Sequence, residues 1–186
     1  MHIRRSIRCI SFAAASALGL LGSFAAHAAD GSTSFFIAPG GLTSHGTTSV
    51  TAGVAWAPFW KSGGGAWTAH GEGFVSYWNA PQALGGHKNF WQVGLVPLLR
   101  YRFGNGASPL FAEAAIGVTF MDDVYTSRRK TFSTRFQFQD TLGVGMSLGA
   151  QRQHEIGLRY SHFSNAGIKK PNPGENFVQL RYAHGF

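Results

Sequence analysis

From about residue 31 onward the chain alternates apolar and polar positions with a period of two, the spacing that sends successive side chains of a strand to opposite faces. Near the carboxyl end, His154, Ile156, Leu158, Tyr160, His162 and Ser164 fall on one face, and Glu155, Gly157, Arg159, Ser161 and Phe163 on the other. The first set is a greasy stripe ending in an imidazole and a hydroxyl; the second is mostly small, polar or charged. Apolar outside and polar inside is the pattern of a transmembrane β-barrel.

Segments of this kind predict eight strands of about ten residues, near 31–38, 48–60, 66–78, 90–103, 109–120, 132–148, 154–164 and 176–186. In the third, Trp67, Ala69, Val75 and Tyr77 oppose Thr68, His70, Glu72 and Ser76; in the fifth, Leu110, Ala112, Ala114, Ile116 and Val118 oppose Glu113, Gly117 and Thr119. Asp140 is a misfit, because it falls on the apolar side of the sixth strand with Leu142, Val144, Met146 and Leu148. The connections near 61–65, 104–108 and 149–153 are short, whereas those near 39–47, 79–89, 121–131 and 165–175 are longer, as in barrels with short periplasmic turns and longer outer loops. Trp56, Trp60, Trp67, Trp78 and Trp91 near strand ends read as an interfacial girdle. The expectation is one all-β domain, an eight-stranded antiparallel barrel of the bacterial outer membrane. A secreted β-sandwich is the rival.

The address agrees. Arg4, Arg5 and Arg8 precede an alanine-rich apolar run, and Ala26-His27-Ala28 supplies an A-x-A cleavage site, so residues 1–28 read as a cleaved signal peptide and 29–186 as the barrel. Serines and glycines dilute the run too much for a membrane anchor, and no later window is a spanning helix. The net charge of +8 drops to about +5 when the three leader arginines leave, and export makes anionic lipid, not nucleic acid, the expected partner of the basic residues. The single cysteine, Cys9, lies in the leader, so neither a disulfide framework nor a cysteine metal site is expected.

Candidate chemistry enters with the seventh strand. Two residues apart on one face, His162 and Ser164 are about 6.6 to 7 Å apart at the backbone, near enough for the imidazole to act as general base on the hydroxyl. Asn165-Ala166-Gly167 follows directly and offers donors for an oxyanion, while Pro171, Pro173 and Gly174 stiffen the return loop. The bland reading of each is an interfacial histidine, a rim hydroxyl and ordinary turn residues.

The string from His162 to Gly174, HFSNAGIKKPNPG, resembles the active-site segment of the PagL family, outer-membrane lipid A 3-O-deacylases. That resemblance implies an eight-stranded barrel with a Ser-His-Glu site on its lipid-facing exterior, near the extracellular rim. Its activity would be hydrolysis of the ester holding a 3-hydroxyacyl chain at the 3-position of lipid A. Ser164 becomes the nucleophile, His162 the base, and Asn165 and Gly167 the oxyanion donors. Aligned without a gap, the family's glutamate falls on Asn176, whereas this chain has Glu175 one place earlier; Glu175 is taken as the acid, with Asn176 as the alternative that orients the imidazole through an amide. Lipopolysaccharide is the implied substrate, with Arg128, Arg129, Lys130, Lys169 and Lys170 as candidates for its phosphates. No cofactor and no metal is expected, and a homodimer is left open. The competing readings are a structural or adhesion barrel, and a barrel binding a small apolar ligand in its lumen; against the latter, Glu72, Glu113, Arg100, Arg159 and Arg181 inside suit an ion-paired plug.

Overall fold

The computed structural model describes residues 32–41 and 45–186; the leader expected at residues 1–28 lies outside the described residues. The strands are β1 (Ser34–Gly41), β2 (Thr48–Ala55), β3 (Trp60–Ser62), β4 (Trp67–Pro81), β5 (His87–Arg102), β6 (Leu110–Met121), β7 (Phe136–Leu148), β8 (His154–Ser164) and β9 (Glu175–Gly185). Every neighbouring pair is antiparallel, and β1 pairs with both β2 and β9, which closes the sheet into a barrel. The three-residue β3 continues β2 along the same edge of β4, so the ring has eight staves. Closure leaves no open edge in the wall, and apolar side chains such as Val93, Leu95, Ile116, Val118, Leu142 and Leu158 stand exposed on its outer surface. This is an outer-membrane barrel, and a two-sheet sandwich is excluded.

Departures from the expected elements have local causes. The second stave breaks at 56–59, where Pro58 has no amide to donate, yet Trp56 N and Phe59 N still reach Gly71 O (2.9 Å) and Ala69 O (3.0 Å) across the bulge. There the Trp56 ring lies over Gly71 and Gly73, at each of which a Cβ would meet it at 3.0 Å or less. The hairpin β4–β5 pairs to Pro81↔His87, so the connection at 82–86 is a tight turn; the long connections are 122–135 and 165–174. Phe132 to Arg135 belong to the first of these and not to a strand, because Phe132 turns inward. Trp78, expected in the girdle, is fully buried, since its even-numbered position on β4 faces the lumen.

Two assemblies fill the interior. Toward the end carrying the short turns, Arg159 grips Glu72 (2.7 Å) and Glu113 (2.6 Å), Arg100 grips Glu113 (2.9 Å) and Glu155 (2.5 Å), and Arg181 reaches Glu72 (3.1 Å) and Glu155 (3.2 Å). Toward the end carrying the long connections, Trp78, Phe90, Tyr125, Phe132, Phe163 and Phe177 pack into an aromatic core. The lumen is therefore filled by paired charges and rings.

Candidate active site

β8 carries His162 and Ser164 to the long-loop end of the barrel, half-buried on its outer face, while Phe163 between them points into the aromatic core. The neighbouring strands put Asp140 on one side of His162 and Asn176 on the other, so these three side chains form a row across β7, β8 and β9. His162 Nδ1 lies 2.6 Å from Asn176 Oδ1. An amide oxygen only accepts, so the proton belongs on Nδ1 and Nε2 keeps its lone pair. The Ser164 hydroxyl and the Asp140 carboxylate make no hydrogen bond among the described residues. Such looseness is usual before substrate arrives.

Gly174 closes the far side of the imidazole. A Cβ there would stand 2.6 Å from His162 Cε1 and 3.3 Å from Nε2, and the residue has φ +63°, so both space and backbone require glycine. Below the site an outer groove of about 580 Å³ runs down the wall, bounded by Phe59, Leu99, Ile116, Tyr160, Asp140 and His162. The misfit carboxylate of the sixth strand thus belongs to the surroundings of the imidazole.

Glu175, expected as the acid, does not reach His162. Residue 175 alternates to the inward face, where its carboxylate accepts from Tyr125 Oη (2.8 Å) and Lys130 Nζ (3.2 Å) and is 1% exposed. No bulge at β9 brings it round: the register runs unbroken through Phe163↔Glu175 and His162↔Asn176. Asn176 occupies the orienting position.

The expected oxyanion donors are also engaged. Asn165 is buried, with its backbone amide donating to Asn172 Oδ1 (3.0 Å) and its side-chain amide to Ser133 Oγ (2.9 Å) and Lys169 O (2.9 Å). Gly167 N donates back to Asn165 Oδ1 (3.0 Å). Asn165 is thus the organiser of the loop, and the amide between the two, on exposed Ala166 at φ 52°, makes no hydrogen bond among the described residues. Asn172 and Ser133 were not singled out from the sequence; an asparagine seven residues from its partner, and a serine on another loop, carry no local signal.

Of the basic candidates, Arg128, Arg129, Lys169 and Lys170 are exposed on the two long loops. Lys130 is not available to a phosphate: its ammonium is turned inward onto Gly174 O (2.8 Å) and Glu175. Arg135, missed in the sequence, lies outside the wall with its guanidinium 4.8 Å from the Phe120 ring and its Nε donating to Met121 O. On the loops, burial raises the Tyr125 phenol well above its usual range, so it stays a donor to Glu175, and the hydrogen bond from Lys88 lowers the exposed Asp123 carboxyl. No group of three or more metal-ligating side chains converges among the described residues.

Fold and site together define a class: a small outer-membrane barrel whose candidate reactive groups stand on its outer wall, outside a filled lumen. A family model described as lipid A 3-O-deacylase (PagL) matches residues 47–185, and the chain belongs to that family. It is 42% identical over 114 residues to the lipid A deacylase PagL of Bordetella bronchiseptica, a match spanning 60% of this chain and 59% of the relative. It is 26% identical over 146 residues to the lipid A deacylase PagL of Pseudomonas aeruginosa, covering 76% and 80% of the two chains. The crystal structure of the outer membrane enzyme PagL superposes with a TM-score of 0.68 at 23% identity, over 82% of this chain and 99% of that one, a likeness of fold.

Proposed function

We propose that this protein is a lipid A 3-O-deacylase of the outer membrane, a serine esterase with Ser164 as nucleophile, His162 as general base and Asn176 as the residue that orients the imidazole. The observation that carries the reading is the 2.6 Å contact of His162 Nδ1 with Asn176 Oδ1, which leaves Nε2 as the basic nitrogen on the face that also holds Ser164. Family membership supplies the reaction class.

In this reading the long-loop end is the extracellular rim, and the substrate reaches the outer wall by lateral diffusion within the leaflet. The 3-hydroxyacyl chain lies down the apolar groove below His162, its ester at the rim. His162 Nε2 takes the Ser164 proton as Oγ attacks the ester carbonyl, and the oxyanion is received by the Asn165-Ala166-Gly167 turn, with the Ala166 amide as the open donor. The carbon–oxygen bond to the sugar breaks, the sugar oxygen takes the proton from His162, and an acyl-enzyme remains. Water from the rim, deprotonated by the same imidazole, releases the fatty acid. Arg128, Arg129, Lys169 and Lys170, joined by Arg135, face the phosphates; Lys130 does not. This scheme uses no cofactor.

The test is mass spectrometry of lipid A from cells making the protein, beside cells making Ser164→Ala to the same inserted level. A mass loss of one 3-hydroxyacyl chain is expected, with the rate lowered at least about 10³-fold in the variant. Unchanged lipid A around a well-inserted barrel, across lipid A types bearing a 3-O-acyl chain, would return the structural or binding barrel.

A further inference from the structure

Residues 174–176 pass from loop to strand beside the imidazole, and each has a distinct contact. Gly174 abuts the Cε1–Nε2 edge of His162, and Asn176 Oδ1 accepts the hydrogen bond from its Nδ1–H. Between them Glu175 points the opposite way, through the wall into the aromatic core. Its carboxylate is held by the Tyr125 hydroxyl, itself 2.7 Å from Thr47 Oγ1, by the Lys130 ammonium, and by the Asn176 backbone amide at 3.1 Å. The same ammonium donates to Gly174 O at 2.8 Å, so one lysine, 13% exposed at its side chain, ties down both the main chain that abuts the ring and the side chain next to the one that orients it.

We infer that Lys130, Glu175 and Tyr125 form a clamp inside the barrel that positions the imidazole outside it, making Lys130 and Glu175 positioning residues for the reaction. The inference rests on the proposed Ser164–His162 chemistry. Its physical basis is the alternation of a strand: residue 175 cannot shift without carrying 174 and 176 with it, and these two fix the ring from opposite edges. A misplacement of about 1 Å at a reacting group is enough to lower a rate about 10²-fold. The carboxylate one place early in the sequence thus serves the site from behind, through its neighbours.

The experiment is steady-state hydrolysis of lipid A in detergent micelles by the purified full-length barrel and three variants. Lys130→Met/Glu175→Gln removes the ion pair without stranding a buried charge, and lowers kcat about 30-fold with KM within about twofold. Lys130→Arg, which keeps a cationic donor, recovers kcat to within about threefold, and Glu175→Gln alone keeps the test open if the double variant fails to insert, with kcat between the two. Nitrogen-15 NMR of labelled histidine supplies a readout that stability alone would not move: the His162 Nδ1–H signal is lost or shifted in the double variant and retained in Lys130→Arg. Wild-type kcat and an unchanged imidazole signal in a folded double variant overturn the clamp, and a raised KM at constant kcat overturns it in favour of a phosphate contact. Ser164→Ala is run beside them. If it alone keeps full activity, the esterase reading fails and takes the clamp with it; if it is inactive while the double variant has wild-type kcat, only the clamp fails.

Discussion

Inside the wall, Glu113 is gripped by Arg100 and Arg159, Glu72 by Arg159 and Arg181, and Glu155 by Arg100 and Arg181, so each carboxylate answers two guanidinium groups. Outside the wall, Ser164 and Asp140 have no such partner among the described residues, and His162 has a single amide on one nitrogen. The inner set is buried, where an unpaired polar group is costly; in the outer set His162 and Ser164 are half-buried and Asp140 is exposed on an otherwise apolar wall. The charged network of the lumen meets that cost with ion pairs, Arg181 Nε excepted, and so reads as structure. The outer row has no such pairing, and a polar group without a partner on an apolar surface is one that a substrate can satisfy. Glu175 and Asn176, adjacent in sequence, fall on the two sides of this division.

Gly174→Ala is the sharpest way to break the comparison from the outer side, because it adds one methyl group to the site and nothing to the lumen. The new Cβ would stand 2.6 Å from the imidazole at a backbone angle that alanine adopts poorly, so the ring or the loop must move. The expected result is a loss of about 10²-fold in kcat/KM on lipid A, with the barrel still inserted and heat-modifiable on gels. Activity within about twofold of wild type would mean that the imidazole has another productive position and that the row across β7, β8 and β9 does not set its geometry.

The barrel was legible in the sequence because the period of two assigns each residue a face, and face is what closure, lumen and outer wall depend on. His162 and Ser164 were legible for the same reason. What alternation does not reveal is contact between loops. Lys130 reads as one of a basic triplet, and only the fold of 122–135 against 165–174 turns it inward onto Glu175. Asn165 reads as an oxyanion donor because it follows the serine, but its amide groups are consumed by Asn172, Ser133 and Lys169, residues set by loop folding. Glu175 reads as the acid because carboxylate is the expected chemistry; the unbroken register shows face prevailing over residue type.

Asn176 tests the division at its finest point. Asn176→Ala removes the acceptor at Nδ1 and leaves the lumen untouched, so kcat should fall about tenfold or more as the imidazole loses its tautomer. Asn176→Asp restores an acceptor and adds a charge opposite the imidazolium of the proposed mechanism, so its activity should equal or exceed wild type. A proton-detected NMR spectrum of the Nδ1–H in each variant separates lost orientation from lost folding. If Asn176→Ala is fully active while Glu175→Gln is not, the orienting role returns to the carboxylate.

The smallest effect on activity is expected where the charges are densest. Glu113→Gln keeps the shape of the residue but removes the charge that faces two guanidinium groups, at a site 6% exposed. Removing one partner from a buried pair typically costs about 3–5 kcal/mol, because the partners left behind stay desolvated, and here Glu72 and Glu155 still engage the same arginines and hold the cost toward the lower end. The row of Asp140, His162 and Asn176 lies on the other face of the wall and, among the described residues, shares no hydrogen bond with this network, so kcat/KM should stay within about twofold while the thermal unfolding midpoint in micelles falls clearly. An activity loss as large as that of Gly174→Ala, in a variant whose unfolding is unchanged, would contradict the separation of roles, since it would mean that the arginine–glutamate network, and not the Lys130–Glu175 pair alone, acts on the outer site through the wall.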